Sequence, residues 1–249
     1  MKPRFDFVLR AWPLIRSGKR TTSAALLTLL SFSFTASAEV LVSHYAVNLD
    51  GLRIGDATLR TDLDGGRYKM GVSASIGLFL VSTQIQGEAS GARSEVKLTP
   101  EHFEIALTGS DEETIEFDFA NSPEAAADGA VRLRGVFDPL SALLAASLKP
   151  SASNRSCDAM VPIFTGRDRL DLKLRPKPAG LPQTEPGFIH CEATLSQPGA
   201  VGSGQPKLNL EIVFMKTAKA DFCPVERIAL STAKGLVTID RADTSFSAP

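Results

Sequence analysis

The chain has 249 residues, 27 Lys/Arg against 28 Asp/Glu and a hydrophobic fraction of 43%. It is long enough for a substantial core and is neither disordered nor strongly basic by composition. Nothing in it forms the cationic stripe that a nucleic-acid surface requires, so no nucleic-acid partner is expected.

Residues 1–38 read as a signal peptide. Arg4, Arg10, Arg16, Lys19 and Arg20 make a basic opening, Ala24 to Phe34 an apolar run, and Ala36-Ser37-Ala38 an A-x-A cleavage pattern. The apolar run is too short to span a bilayer, although the long basic opening keeps a retained N-terminal anchor as the competing reading. Cleavage would leave a chain starting near Glu39. The leader holds six of the basic and one of the acidic residues, leaving 21 and 27, about six units negative. No later stretch reaches the apolar length of a transmembrane helix.

From Leu41 to Leu133 the apolar residues recur with period two, the signature of strands with one buried face. Tyr45, Val47 and Leu49 alternate with polar or small neighbours; Asp50 to Gly55 reads as a turn. Ala57, Leu59 and Leu63 lead to a hairpin at Asp64-Gly65-Gly66, and Tyr68, Met70, Val72, Ala74 and Ile76 make the clearest strand. Gly77 to Val81 (GLFLV) breaks the alternation, reading as a buried crossing, a bulge or a loop tucked into a cavity. Thr83 to Gly87, Phe103 to Leu107 and Ile115 to Phe119 continue the pattern. Asp111, Glu112 and Glu113 lack the alternating oxygen ligands of a calcium loop and read as a solvated turn. Asn121 to Gly129 reads as a surface loop.

Val136 to Gly166 interrupts the strands with one short helix. Asp138 is suited to be its N-cap and Pro139 its first residue. Leu140, Leu143, Leu144 and Leu148 fall on one face, Lys149 suits the negative end, and Pro150 is expected to stop the run. Such a helix reads as a plug or lid between two runs of strands. Afterwards Pro162 to Arg167 reads as a turn and Pro176 to Gly187 as a loop. Strands follow at Leu170–Leu174, Ile189–Ala193, Leu208–Phe214, Ile228–Leu230 and Val237–Ile239. Ten or eleven strands and one helix define an all-β, mainly antiparallel fold. A sheet that large must curl or close, giving a curved barrel-like or spiral sheet with the helix packed at its opening. Residues 39–249 are expected to form a single β-rich domain.

The motifs that could carry chemistry are weak. His44, His102 and His190 share no ligand spacing, so no metal site is expected. Ser231-Thr232-Ala233-Lys234 matches S-x-x-K but spans a strand end and a turn, without S-D-N or K-T-G. Gly199 to Gly204 lacks the strand-to-helix setting of a phosphate loop. Asp168 and Asp171, three apart on a strand, face opposite sides. Asn154-Arg155-Ser156 is a glycosylation pattern only in a secretory eukaryotic context. Three cysteines in an oxidising compartment, Cys157, Cys191 and Cys223, imply one disulfide and one residue over, and their spacing matches no zinc pattern.

Several segments together resemble the exported bacterial proteins catalogued as domain of unknown function 3108. Val47 to Ala57 and Asp64 to Tyr68 are similar to its opening hairpin. Phe137 to Leu144 resembles its central helix, and Cys157-Asp158 with Phe164 to Leu172 its cysteine and turn. The resemblance implies an exported antiparallel β protein and a Cys157–Cys191 disulfide; Cys223 departs from the pattern. It supplies no catalytic residues. The expected function is a soluble periplasmic binding or envelope-maintenance protein, holding an apolar ligand (lipid or peptide) in its curved sheet. The alternative is an enzyme acting on an envelope polymer or lipid, but no catalytic residues and no cofactor are expected.

Overall fold

A computed structural model describes residues 39–78, 81–94, 97–109, 112–119, 135–152, 157–177, 187–198, 208–217 and 223–247. The first six strands are β1 (Glu39–Leu49), β2 (Leu52–Asp64), β3 (Arg67–Leu78), β4 (Val81–Arg93), β5 (Leu98–Thr108) and β6 (Glu113–Asp118). After the helix α1 (Pro139–Ala152) come β7 (Ala159–Phe164), β8 (Arg169–Pro176), β9 (Phe188–Ser196), β10 (Leu208–Met215), β11 (Val225–Thr232) and β12 (Gly235–Ser247). The expected signal peptide, the 121–129 loop, the Asn154 sequon and the 199–204 glycine run lie outside the described residues.

All twelve strands join one antiparallel sheet in the order β6-β5-β4-β3-β2-β1-β12-β11-β10-β9-β8-β7. Every strand pairs with its neighbours in sequence except β6 and β7, and β1 pairs with β12. The order is that of an up-and-down barrel whose one missing ladder falls where α1 is inserted. The two free edges nevertheless meet through side chains. The rings of Phe117 (β6) and Phe164 (β7) lie 5.1 Å apart, and Arg167 in the β7–β8 turn reaches Glu113 at 2.6 Å. Gly166 in that turn has a positive φ of 90°, and a Cβ there would collide with Ile115 of β6. A curled sheet closed by packing rather than by hydrogen bonds results.

Several local readings are corrected. The turn expected over Asp50–Gly55 is only Asp50-Gly51, both with positive φ, as a two-residue hairpin turn demands. Gly55 lies inside β2, beside a bulge opposite Val47/Asn48, where the backbone of Ser75 leaves no room for a Cβ. The break at Gly77–Val81 is neither a crossing nor a bulge. Leu78 pairs with Val81 across a tight hairpin whose residues 79–80 are not described. Ala159–Phe164 is a strand rather than the start of a turn. It tolerates Pro162 because it is an edge strand, and the Pro162 carbonyl accepts a hydrogen bond from Phe137 N–H at 2.9 Å. Helix α1 runs two residues past Pro150, so the proline lies in its last turn and the expected stop comes later, at Ala152.

The disulfide joins Cys157 to Cys191, Cα atoms 5.4 Å apart, and ties the segment after α1 to β9. Cys223 is buried and takes no part in that bridge. Closing a loop of this length stabilises by roughly 3–4 kcal/mol in the chain-entropy model. Replacing both Cys157 and Cys191 with serine is therefore expected to lower the unfolding free energy by about that amount in urea titration. An unchanged midpoint would show that the bridge contributes nothing.

Candidate functional site

Helix α1 is positioned from both ends. Before it, Phe137 makes a short parallel bridge to Ile163 of β7, with Phe137 N–H donating to the Pro162 carbonyl and Phe164 N–H to the Phe137 carbonyl at 2.7 Å. Asp138 is the N-cap as expected, its Oδ1 accepting the Ser141 N–H at 2.8 Å. At the other end the Cys223 N–H donates to the Ser147 carbonyl, and five residues beyond Ala152 the chain is fixed by the disulfide. The helix packs against β7 on one side and β3, β4 and β5 on the other.

Leu140 and Leu144 are buried and Leu143 and Leu148 pack partly buried against the same core. The leucine stripe is only part of the contact, because Ser141, Ala142, Ala145, Ala146 and Ser147 are buried too. From Leu140 to Ser147 the helix is buried on nearly every side, which places this stretch inside the fold and not on its surface. Its N-terminus carries a buried polar chain: the hydroxyls of Ser141 and Tyr68 lie 2.7 Å apart, beside Asp138. Asp138 is fully buried and its Oδ2 has no hydrogen-bond partner. Burial pushes its carboxyl above the ordinary carboxylate range, against the pull of its hydrogen bonds from Ser141. Burial likewise raises the Tyr68 hydroxyl.

Pairing register assigns the concave face, because directly opposed residues in a ladder share a side. Leu41, Ser43, Tyr45 and Val47 of β1 lie on it, as do Leu59 and Thr61 of β2 and Met70, Val72, Ala74 and Ile76 of β3. Ile85 and Ala89 of β4, Phe103, Ile105 and Leu107 of β5 and Ile115 of β6 complete that half. Burial along this face is graded. Leu41, Ser43, Tyr45, Thr61, Met70, Ala89 and Phe103 are buried and form a floor. Leu59, Val72, Ile76, Ile85, Ile105, Leu107 and Ile115, nearer the other end of the strands, are only half-buried, although Val47 and Ala74 among them stay buried. In the second half of the sheet Leu172, Ile212 and Phe214 are buried, while Leu170, Leu195, Leu210, Leu230 and Ile239 are half-buried. At the rim of that end Leu52 and Val81 are 69% and 54% exposed, and Leu208 joins them. The side chains stay apolar while their cover falls away.

Between α1 and the floor lies a cavity of about 10 Å³, flanked by Leu59, Met70, Leu144 and the hydroxyl-bearing Ser43, Thr61 and Ser147. It is room for about one water molecule. Sequence reasoning missed an ion pair on the same face. Arg241, opposite Tyr45, is nine-tenths buried with Nη2 2.5 Å from Glu226 and 2.8 Å from the Met215 sulfur. Tyr45 donates its hydroxyl to the Val225 carbonyl at 3.0 Å. Only the pairing register reveals this grouping, since Tyr45 and Arg241 are far apart in sequence.

The three histidines stand apart on the convex side. His44 meets Thr58, His102 meets Asp118 at 2.7 Å and His190 meets Glu211 at 3.3 Å. The hydrogen bond to Asp118 raises the His102 pKa. Burial of Glu211 opposes ionisation, but Lys177 and His190 outweigh it and hold the carboxyl low. No group of metal-ligating side chains forms among the described residues. Thr232 and Lys234 close the β11–β12 turn on each other, the Lys234 N–H donating to Thr232 Oγ1 at 3.1 Å. Asp168 lies in the β7–β8 turn with its N–H on Thr165 Oγ1, and Asp171 lies on β8. No helix among the described residues is long and apolar enough to cross a membrane.

No family model matches the chain, and no curated protein does. Among solved structures, a hypothetical protein of Chlamydia trachomatis, CT021, is similar over 83% of this chain and 88% of its own, at 11% identity and a TM-score of 0.35.

Asp138 provides a test of the helix cap. With its pKa raised, the neutral carboxyl stabilises the fold below the ordinary value of 3.8, and that contribution is lost as pH rises through the folded-state pKa. Asp138→Asn keeps an oxygen for Ser141 but cannot ionise. The stability of the variant relative to wild type should therefore climb with pH through that interval and then level. Parallel stability–pH curves would show that Asp138 ionises normally.

Proposed function

We propose that this protein is a periplasmic binding or envelope-maintenance protein that holds an apolar ligand, a lipid or a peptide, against the concave face of its sheet. The observation that carries this reading is the gradient on that face. Its floor is sealed by α1, while its other end presents apolar side chains to solvent around an apolar rim. A monomer that exposes a contiguous apolar surface at a concavity commonly uses it for binding. Helix α1, clamped by the Phe137 bridge and the disulfide, acts as a plug that closes one end.

Export is supported by the leader-like residues 1–38 and by the disulfide, which persists in oxidising compartments. The resemblance to the exported family catalogued as domain of unknown function 3108 belongs to the same proposal and adds no activity to it. No specific grouping among the described residues favours the enzyme alternative. Buried Asp138 is held in the helix cap, and Arg241 and half-buried Glu226 are held by each other.

A fluorescent fatty acid tests the reading. Wild type should take it up with a blue-shifted emission, and Ile85→Glu, which places a charge on the half-buried stretch, should weaken uptake at least tenfold. The urea midpoint of that variant should move little, because Ile85 already touches solvent. Absence of uptake by the folded wild type, or equal uptake by the variant, would contradict a ligand site on this face.

A further inference from the structure

Resting on that reading of the concave face, we propose that its ligand is the hydrocarbon chain of an acylated molecule, inserted toward α1 with its polar head at the rim, and not a peptide. The argument is one of matching polarity. Every residue of a bound peptide brings a backbone N–H and C=O that need partners once buried. Between floor and rim the face offers Leu59, Val72, Ile76, Ile85, Ile105 and Leu107, none of which has a side-chain donor or acceptor, with a single hydroxyl beside them from Thr83, opposite Ile76. The backbone groups of β2 to β5 are committed to the ladders on either side.

A peptide's other route is to add as a strand at a free edge. Here that route is obstructed. Phe137 already pairs with β7, and the two edges pack on each other through Phe117, Phe164, Glu113 and Arg167. A hydrocarbon chain needs no hydrogen bonds and leaves none unmade. The half-buried stretch from Leu59 to Leu107 carries no charged side chain among the described residues, and the Arg241–Glu226 pair on this face lies to one side of it, beside Tyr45. The Glu113–Arg167 pair stands beside Leu107 at the open end, next to where a polar head would lie. From Val81 at the rim to Gly87, which pairs with Val72 short of the sealed Met70, the face runs about six residues, or about 20 Å at about 3.3 Å per residue, the length of an extended long acyl chain.

Displacement of the bound fluorescent fatty acid from the exported chain tests this. Saturated fatty acids from octanoic to octadecanoic acid are compared with an N-acetylated, C-amidated heptapeptide of leucine and valine. Affinity should rise roughly three- to fourfold per added methylene, the increment for burying one CH₂. The peptide should be at least tenfold weaker than hexadecanoic acid. Val72→Phe, which narrows the inner end of the face, should cut the gain from the longest chains and leave octanoic acid unchanged. A peptide that competes as well as hexadecanoic acid, or no dependence on chain length, would overturn the acyl assignment while leaving an apolar site in place. A wild type that never takes up the probe would overturn the binding reading itself, and this inference with it.

Discussion

A single missing ladder, between β6 and β7, governs how this molecule is built. Twelve antiparallel strands follow one another around a curl, and each finds hydrogen-bonded neighbours except at that place. Two free edges would otherwise invite pairing with another chain. Three devices blunt them. Phe137 lies along part of β7, the Phe117 and Phe164 rings meet across the gap, and β6 carries Glu113, Glu116 and Asp118. The chain that would have joined β6 to β7 in a closed barrel supplies α1 instead. Its burial replaces the lost ladder as what holds the halves together.

That substitution also divides the concave face. Where α1 lies, the sheet's inner side chains are sealed, down to a cavity fit for one water molecule. Beyond it they remain apolar but half-covered. A helix of this length has little stability alone, so it stays in place through packing and through its anchors. The Asp138 cap, the Phe137 bridge and the Cys157–Cys191 disulfide fix both ends. The helix is thus better placed to be a fixed end-wall than a moving cover. The proposed ligand path therefore begins at the opposite rim.

The strands were legible because period-two alternation survives in residues such as Tyr68, Met70, Val72, Ala74 and Ile76, all of which turn to one face. Errors arose where one residue type serves two purposes. Gly55 looked like the end of a turn but accommodates a bulge and the close backbone of Ser75. Pro162 looked like a turn residue but lies on an edge strand. Asp138 and Pro139 announced the helix start correctly. The leucine spacing, in contrast, concealed that Ser141, Ala142 and Ala146 are equally buried, because small residues give no periodic signal. The graded face was hidden for a different reason. Ile85 and Met70 have the same apolar character in sequence, and only the position of α1 decides which of them is covered.

Native mass spectrometry of the protein purified without detergent from the cells that make it tests the central claim most directly. The account predicts a population heavier than the unliganded protein by the mass of an acylated molecule, released when the protein unfolds and lost in Ile85→Glu. A folded protein that carries only its own mass, and stays so after incubation with an acyl lipid, would contradict it.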